Sequence, residues 1–400
     1  MPVSKKEVNR LTILFTVTYM ISYITRINYG AVISEMEKAT NISRSLLSMS
    51  VTGSFVTYGA GQIISGILGD KVSAKKLVSY GFIVTVLMNF LIPICKNPYQ
   101  MLAVWCINGF AQSFMWPPLV KLMTSLFSEE DYKGAAVKVS WGSSLGTILI
   151  YLISPLIITI SGWKAVFLFS AACGIVMLFI WNKYSYDTKA EEKIAPLPER
   201  KVSGILFTPL MLGIMLAIIL QGMLKDGVTT WMPSYISETY SLSSVISILT
   251  GVILPIFSII CFSAVSQLYK KVFTNPILCA GVIFGAGALF AFGLYLLSGR
   301  NALLSVVFSA LLTGCMHGVN LLLICMVPAY FKKYGNVSTI SGVLNSCTYI
   351  GSAVSTYGIA VLSENSGWKF TIFIWTLIAL SGTISCIVNI RPWKRVMSAK

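Results

Sequence analysis

Charged side chains are scarce in this chain. Asp, Glu, Lys and Arg make up 11% of its 400 residues, against 56% hydrophobic, and the mean hydropathy is +0.78. A soluble domain carries roughly 25% charge, so the composition excludes one and indicates an integral membrane protein. The nine cysteines are scattered, with no C-x-x-C pair; neither a metal site nor a disulfide framework is expected, and they read as small buried apolar residues. Histidine occurs once, at His317. No glycine-rich nucleotide loop, metal cluster or nucleophile–base set is present, so an enzyme is not indicated and no cofactor is expected. A cleavable signal is missing too, because the first apolar run is too long for a signal core and lacks a small-residue cleavage site. The apolar stretches do not alternate over ~10 residues, which disfavours a barrel.

The chain is instead rich in long apolar runs. Twelve helical spans are expected, at about 11–33, 46–69, 76–95, 99–127, 134–160, 164–183, 204–232, 243–268, 274–298, 302–330, 338–362 and 368–390. The net charge of +16 follows from 30 basic and 14 acidic residues, and the basic residues gather in alternate loops. Lys5, Lys6 and Arg10, then Lys71, Lys75 and Lys76, Lys133 and Lys138, Lys183 to Lys201, Lys270 and Lys271, Lys332 and Lys333, and Arg391 to Lys400 fall on one side. The opposite loops hold only Lys38, Arg44, Lys96, Lys164, Arg300 and Lys369. By the positive-inside rule both termini are cytoplasmic, the expected location is the plasma membrane, and the basic balance reports topology rather than a nucleic-acid partner.

The longest polar break, residues 184–203, reads as a cytoplasmic linker between six-span halves at 1–183 and 204–400. The halves are related. Ser161-Gly162-Trp163-Lys164 recurs at Ser366-Gly367-Trp368-Lys369, a shift of 205 residues that also carries Gly109 onto Gly314, Gln112 onto His317 and Gly146 onto Gly351. Parallel six-helix repeats of this kind are the architecture of major facilitator transporters, and the fold expected is all-α, with twelve transmembrane helices in two pseudo-symmetric bundles. The loop after the second span, Gly66-Ile-Leu-Gly-Asp70-Lys71 and on to Lys76, resembles the facilitator loop motif. That resemblance implies a conformational role for Gly66, Asp70 and Lys71, with Asp70 paired to a neighbouring helix end or basic residue.

Arg26 lies inside the first span with no acid within eight residues on either side. A guanidinium at that depth costs at least ~2.5–3.5 kcal/mol, so it is expected to face a polar cavity and act there. Tyr19, Tyr23 and Arg26 share one helix face, and a guanidinium flanked by phenol hydroxyls suits phosphate or carboxylate. The counterpart in the second half is Lys225, at a shift of 199 residues, sharing a face with Gln221. Asp226 follows at once, about 100° around the helix. It is expected to point elsewhere, as a charge partner for Lys225 by side-chain bending, for another helix, or as a proton carrier. His317 either packs or meets substrate; Asn320, Asn345 and Tyr349 are further candidates for the same cavity.

The run Gly109-Phe-Ala-Gln-Ser-Phe-Met-Trp-Pro-Pro118 closely resembles the fourth-helix signature of the organophosphate:phosphate antiporters, the glycerol-3-phosphate and hexose-phosphate transporter group. Tyr19, Tyr23, Arg26 and Asn28 match that family's first helix. Lys225-x-Gly227 with Trp231-x-Pro233-x-Tyr235 matches its seventh, except that arginine is expected at Lys225. The resemblance implies exchange of an organophosphate for inorganic phosphate by alternating access in a monomer. Arg26 and Lys225 would bind the phosphate, with Tyr19, Tyr23 and Gln112 lining the path. Gln62 and Ile27 stand where relatives carry lysines, and Val139–Gly146 lacks their histidine, so the site is less cationic. The alternatives are a proton-coupled carboxylate symporter, which Gln112 disfavours, and a transporter-like sugar-phosphate sensor.

Overall fold

The computed structural model describes residues 4–186, 204, 206–242, 244–334 and 336–398. Those residues form helices and short connections, with no strand among them. The first seven helices are α1 Lys5–Thr40, α2 Arg44–Lys71, α3 Ala74–Leu91, α4 Pro98–Gln112, α5 Trp116–Leu126, α6 Glu129–Ser161 and α7 Trp163–Tyr184. They are followed by α8 Pro209–Tyr240, α9 Ser244–Lys271, α10 Pro276–Leu297, α11 Ala302–Asn320 and α12 Val337–Ser398. The linker expected at 184–203 lies outside the described residues from 187 on. The chain divides into two compact units, one of Met1–Pro198 with Phe331–Ser346, the other of Glu199–Tyr330 with Cys347–Lys400.

Small polar residues start the helices. Ser4, Ser43, Ser73, Asn97, Ser128, Thr208, Asn275 and Asn301 each accept a backbone N–H of the following first turn, worth ~1 kcal/mol apiece. Proline shapes two interruptions. In the expected span 99–127, Pro117 and Pro118 offer no N–H, so α4 ends at Gln112, a tight turn of i→i−3 bonds covers Ser113–Met115, and α5 begins at Trp116. In the expected span 302–330, α11 passes into a wide π turn, Leu321–Met326, then a narrow 3-10 stretch, Val327–Tyr334. Pro328 lies there and leaves the Ile324 carbonyl without its helical donor.

Eight stretches of the described residues are long and apolar enough to cross a membrane. The other four expected spans are those holding Arg26, Gln62, Gln112 and Asn345. Polar residues lower their apolarity, and the one holding Gln112 is broken into pieces of 15 and 11 residues.

The internal repeat is visible in backbone geometry. Gly162 joins α6 to α7 at φ 76°, ψ 173°, and Gly367 interrupts α12 at φ 75°, ψ 168°, so the two SGWK copies turn the chain identically where only glycine is comfortable. Within the first unit, a Cβ on Gly146 would lie 2.4 Å from the Met20 carbonyl oxygen of α1; within the second, one on Gly351 would lie 2.0 Å from that of Ile219 in α8. Each contact falls six residues before the cation of its unit, Arg26 or Lys225. In the first unit an aromatic cluster fixes α1 against α4 and α7. Tyr29 packs 5.1 Å from Trp105 and 5.9 Å from Phe167, ring centre to ring centre, and its hydroxyl donates to Ser50 Oγ at 3.1 Å.

Candidate anion-binding residues

Arg26 is buried at 7% exposure. Its guanidinium carbon lies 4.2 Å from the ring centre of Tyr23 and 4.5 Å from that of Tyr58. The sequence puts Tyr19 and Tyr23 on the helix face of Arg26; in the structure the rings of Tyr23 and Tyr58 cover its guanidinium. The i, i+3 spacing from Tyr23 brings its ring over the guanidinium, and α2 supplies Tyr58. Stacking of this kind contributes ~0.5–2 kcal/mol per ring. Tyr19 packs edge-on to Tyr23 at 5.2 Å and against Trp116 at 5.1 Å.

Buried amides hold this part of α1. Gln112 Nε2 donates to Thr25 Oγ1 at 2.8 Å. Asn89 and Asn108 both donate to the Thr25 carbonyl, and Asn28 donates to Asn89 Oδ1 at 2.7 Å. The residue preceding Arg26 is therefore tied to α3 and α4, and Gln112 is engaged within the unit.

Gln62 has a role that follows from the broken helix. The Ser113 carbonyl would ordinarily receive the N–H of residue 117, which is proline; Gln62 Nε2 donates to it instead, at 3.3 Å. Asn345 Nδ2 in turn donates to Gln62 Oε1 at 3.0 Å. Gln62→Leu removes both bonds and strands a buried carbonyl and a buried amide, so a stability loss of ~1–3 kcal/mol per stranded group is expected in a denaturation series. Unchanged stability would show that these groups find other partners.

In the second unit, Lys225 and Asp226 come together. Nζ and Oδ1 are 3.4 Å apart, with side-chain exposures of 15% and 35%. The two side chains meet although their backbone directions differ by about 100°, and Ser352 of α12 donates its hydroxyl to Asp226 Oδ2. His317 is half-buried in α11, with Nδ1 2.9 Å from the Thr313 carbonyl, so that nitrogen carries the donated hydrogen. Its ring meets Phe262 edge-on at 5.6 Å, and it lies within electrostatic reach of Lys225 and Asp226. Gln221 Nε2 donates to the Met316 carbonyl at 3.1 Å. Lys225, Asp226, Gln221 and His317 thus form one neighbourhood.

Asp70 lies beyond the apolar span 46–69 and accepts the first-turn N–H groups of Ser338, at 3.0 Å, and Thr339, at 2.8 Å. A carboxylate there suits the positive end of a helix. Burial pushes its carboxyl above the ordinary value, while hydrogen bonds from Thr339 and Ser338 and the charge of Lys121 pull the other way. Gly66 lets the backbone of α2 approach Ser338–Gly342, and Lys71 is exposed at the end of α2.

Four contributors were missed from the sequence: Tyr58, Thr25, Ser352 and Lys121. Lys121, 7% exposed in α5, donates to the carbonyls of Gly69 at 2.7 Å and Asp70 at 3.4 Å. It adds a second cation inside the spans of the first half, where the sequence reading counted Arg26 alone.

The family model described as Major Facilitator Superfamily matches residues 15–356. The chain is 22% identical over 391 residues to the membrane sensor protein UhpC of Salmonella typhimurium (strain LT2), covering 92% of this chain and 88% of that protein. It is 22% identical over 386 residues to a probable hexose phosphate transport protein of Chlamydia muridarum, covering 88% and 84%. Among solved structures it resembles the proton:xylose symporter XylE bound to 6-bromo-6-deoxy-D-glucose, with TM-score 0.78, 11% identity and coverage of 96% and 95%, a likeness of fold.

Proposed function

We propose that this chain, which belongs to the Major Facilitator Superfamily, moves an organophosphate, a sugar phosphate or glycerol phosphate, in exchange for inorganic phosphate by alternating access. Its family makes it a multi-pass membrane transporter and not an enzyme, with the twelve-helix, two-bundle fold expected from the sequence. The observation that carries the proposal is Arg26, a guanidinium buried in an apolar bundle with its charge over the rings of Tyr23 and Tyr58. Stacking fixes the fork while its edge donors match the oxygens of a phosphate. Lys225 supplies the second charge, with Tyr19, Tyr23, Gln112 and His317 as neutral neighbours of the substrate. Asp70 with Gly66 and Lys71 biases the conformational equilibrium, and Asp226 is the charge partner of Lys225. The similarity to a hexose phosphate transport protein supports the substrate class. The protein acts as a monomer in the plasma membrane with both termini cytoplasmic.

Two observations favour other readings. Asp226, an acid beside a candidate ligand, is what a proton-coupled carboxylate symporter would use, and the similarity to a membrane sensor protein supports a sensing role. One measurement separates the three. Protein reconstituted into phosphate-loaded vesicles is expected to exchange labelled phosphate at a rate indifferent to a pH gradient. Carboxylate uptake driven by the gradient, without phosphate exchange, would replace antiport by symport. Binding of a sugar phosphate with no flux of either anion would identify a sensor.

A further inference from the structure

Lys225 carries its own counter-ion. Consecutive residues on a helix project about 100° apart, so contact between Lys225 and Asp226 is not automatic. Here Asp226 divides its two oxygens: Oδ1 lies 3.4 Å from Lys225 Nζ, and Oδ2 accepts the hydroxyl of Ser352. That hydroxyl also lies 2.9 Å from the Thr348 carbonyl, but its single hydrogen makes the stronger, charge-assisted bond to the carboxylate. The helices holding the two partners are tied closely. Trp231 Nε1 donates to the Thr356 carbonyl at 3.1 Å, and a Cβ on Gly222 would lie 2.3 Å from the Thr348 oxygen.

We propose that Asp226, held by Ser352, is the resident counter-anion of Lys225 and makes the protein prefer a substrate bearing one negative charge over one bearing two. The inference deepens the anion-transport reading, since it takes Lys225 as a ligand of the substrate. An isolated ammonium attracts a dianion about twice as strongly as a monoanion, which offsets the greater cost of stripping water from two charges. An ammonium already paired with a carboxylate is neutral as a unit. It gives the second charge no comparable reward, while the carboxylate repels it and the desolvation cost remains. Asp226→Asn keeps the shape and the bond to Ser352 but removes that charge.

The test uses two esters of one skeleton at pH 8, with binding to the purified full-length protein measured by thermal shift and by calorimetry. Glucose 6-sulfate carries one fixed negative charge; glucose 6-phosphate, with a second pKa of ~6, carries two. Wild type is expected to bind the sulfate ester at least as tightly as the phosphate ester. Asp226→Asn should move the ratio of dissociation constants toward the phosphate ester by about tenfold or more, and Ser352→Ala should move it the same way by less. A ratio within twofold of wild type in folded Asp226→Asn overturns the proposal, as does a tenfold wild-type preference for the phosphate ester. If Asp226→Asn does not fold, an unchanged ratio in Ser352→Ala overturns it. A shifted ratio in a protein that exchanges no phosphate sinks the antiport reading and leaves this one standing. Binding by wild type of neither glucose ester, nor of glycerol 3-sulfate or glycerol 3-phosphate, sinks both.

Discussion

Arg26→Ala is expected to abolish phosphate exchange, lowering the rate about a thousandfold, while folded protein remains in the membrane. Removing one partner of a desolvated charge pair costs several kcal/mol, and ~4 kcal/mol corresponds to three orders of magnitude. Stability moves differently. A guanidinium inside an apolar bundle opposes insertion by ~2.5–3.5 kcal/mol, and stacking on two rings, Tyr23 and Tyr58, returns about 1–4 kcal/mol, a sum of the same size. Truncation should therefore leave the thermal midpoint close to that of wild type. A structural arginine would give the opposite pattern, with loss of stability leading the loss of flux. Arg26→Lys should recover only a small fraction of the rate, because a point charge replaces a planar fork fixed by two rings. Lys225→Ala should abolish exchange as well. Exchange within threefold of wild type in folded Arg26→Ala would remove Arg26 from the substrate's ligands.

Gly351→Ala is expected to damage both fold and transport. The added methyl would lie 2.0 Å from the Ile219 carbonyl oxygen and 2.9 Å from Met223 N. These are backbone atoms, so no rotamer change can relieve the clash and the helices must separate. Overpacking of this kind costs ~1–3 kcal/mol. The displaced segment of α8 leads directly to Lys225, so exchange should fall by tenfold or more even in protein that still folds. Gly146→Ala should act likewise through Met20 and Arg26. Gly285→Ala is the control: its new methyl meets only Thr383 Cγ2 at 3.9 Å, an ordinary contact, and neither stability nor exchange should drop. Full activity in Gly351→Ala would show that the close approach does not position Lys225.

Charge and symmetry were what the sequence displayed most openly. Arg26 stands out because a cation in an apolar run is expensive. Lys225 stands out because the repeat supplies a mate, and the glycines of that repeat recur as matching backbone contacts in the two units. Lys121 obeys the rule that singles out Arg26, yet its position at the 205-residue shift is Met326, so symmetry did not flag it. Tyr58 and Ser352 carry no charge, and tyrosine and serine are common in these spans; only packing identifies them. The pairing of Lys225 with Asp226 was one of three roles the sequence left open, because backbone direction does not fix where long side chains end. The division of the fourth span was written in Pro117 and Pro118, but which group would satisfy the Ser113 carbonyl needed the third dimension.

Lys121 makes one helix depend on the end of another. Its ammonium is received by the carbonyls of Gly69 and Asp70, the last turn of α2. Those carbonyls have no donor within their own helix, and the ammonium has no acid in α5 to pair with. Two costs that each helix would carry alone, an orphaned helix end and a buried charge, are thus cancelled against each other where α2 and α5 meet.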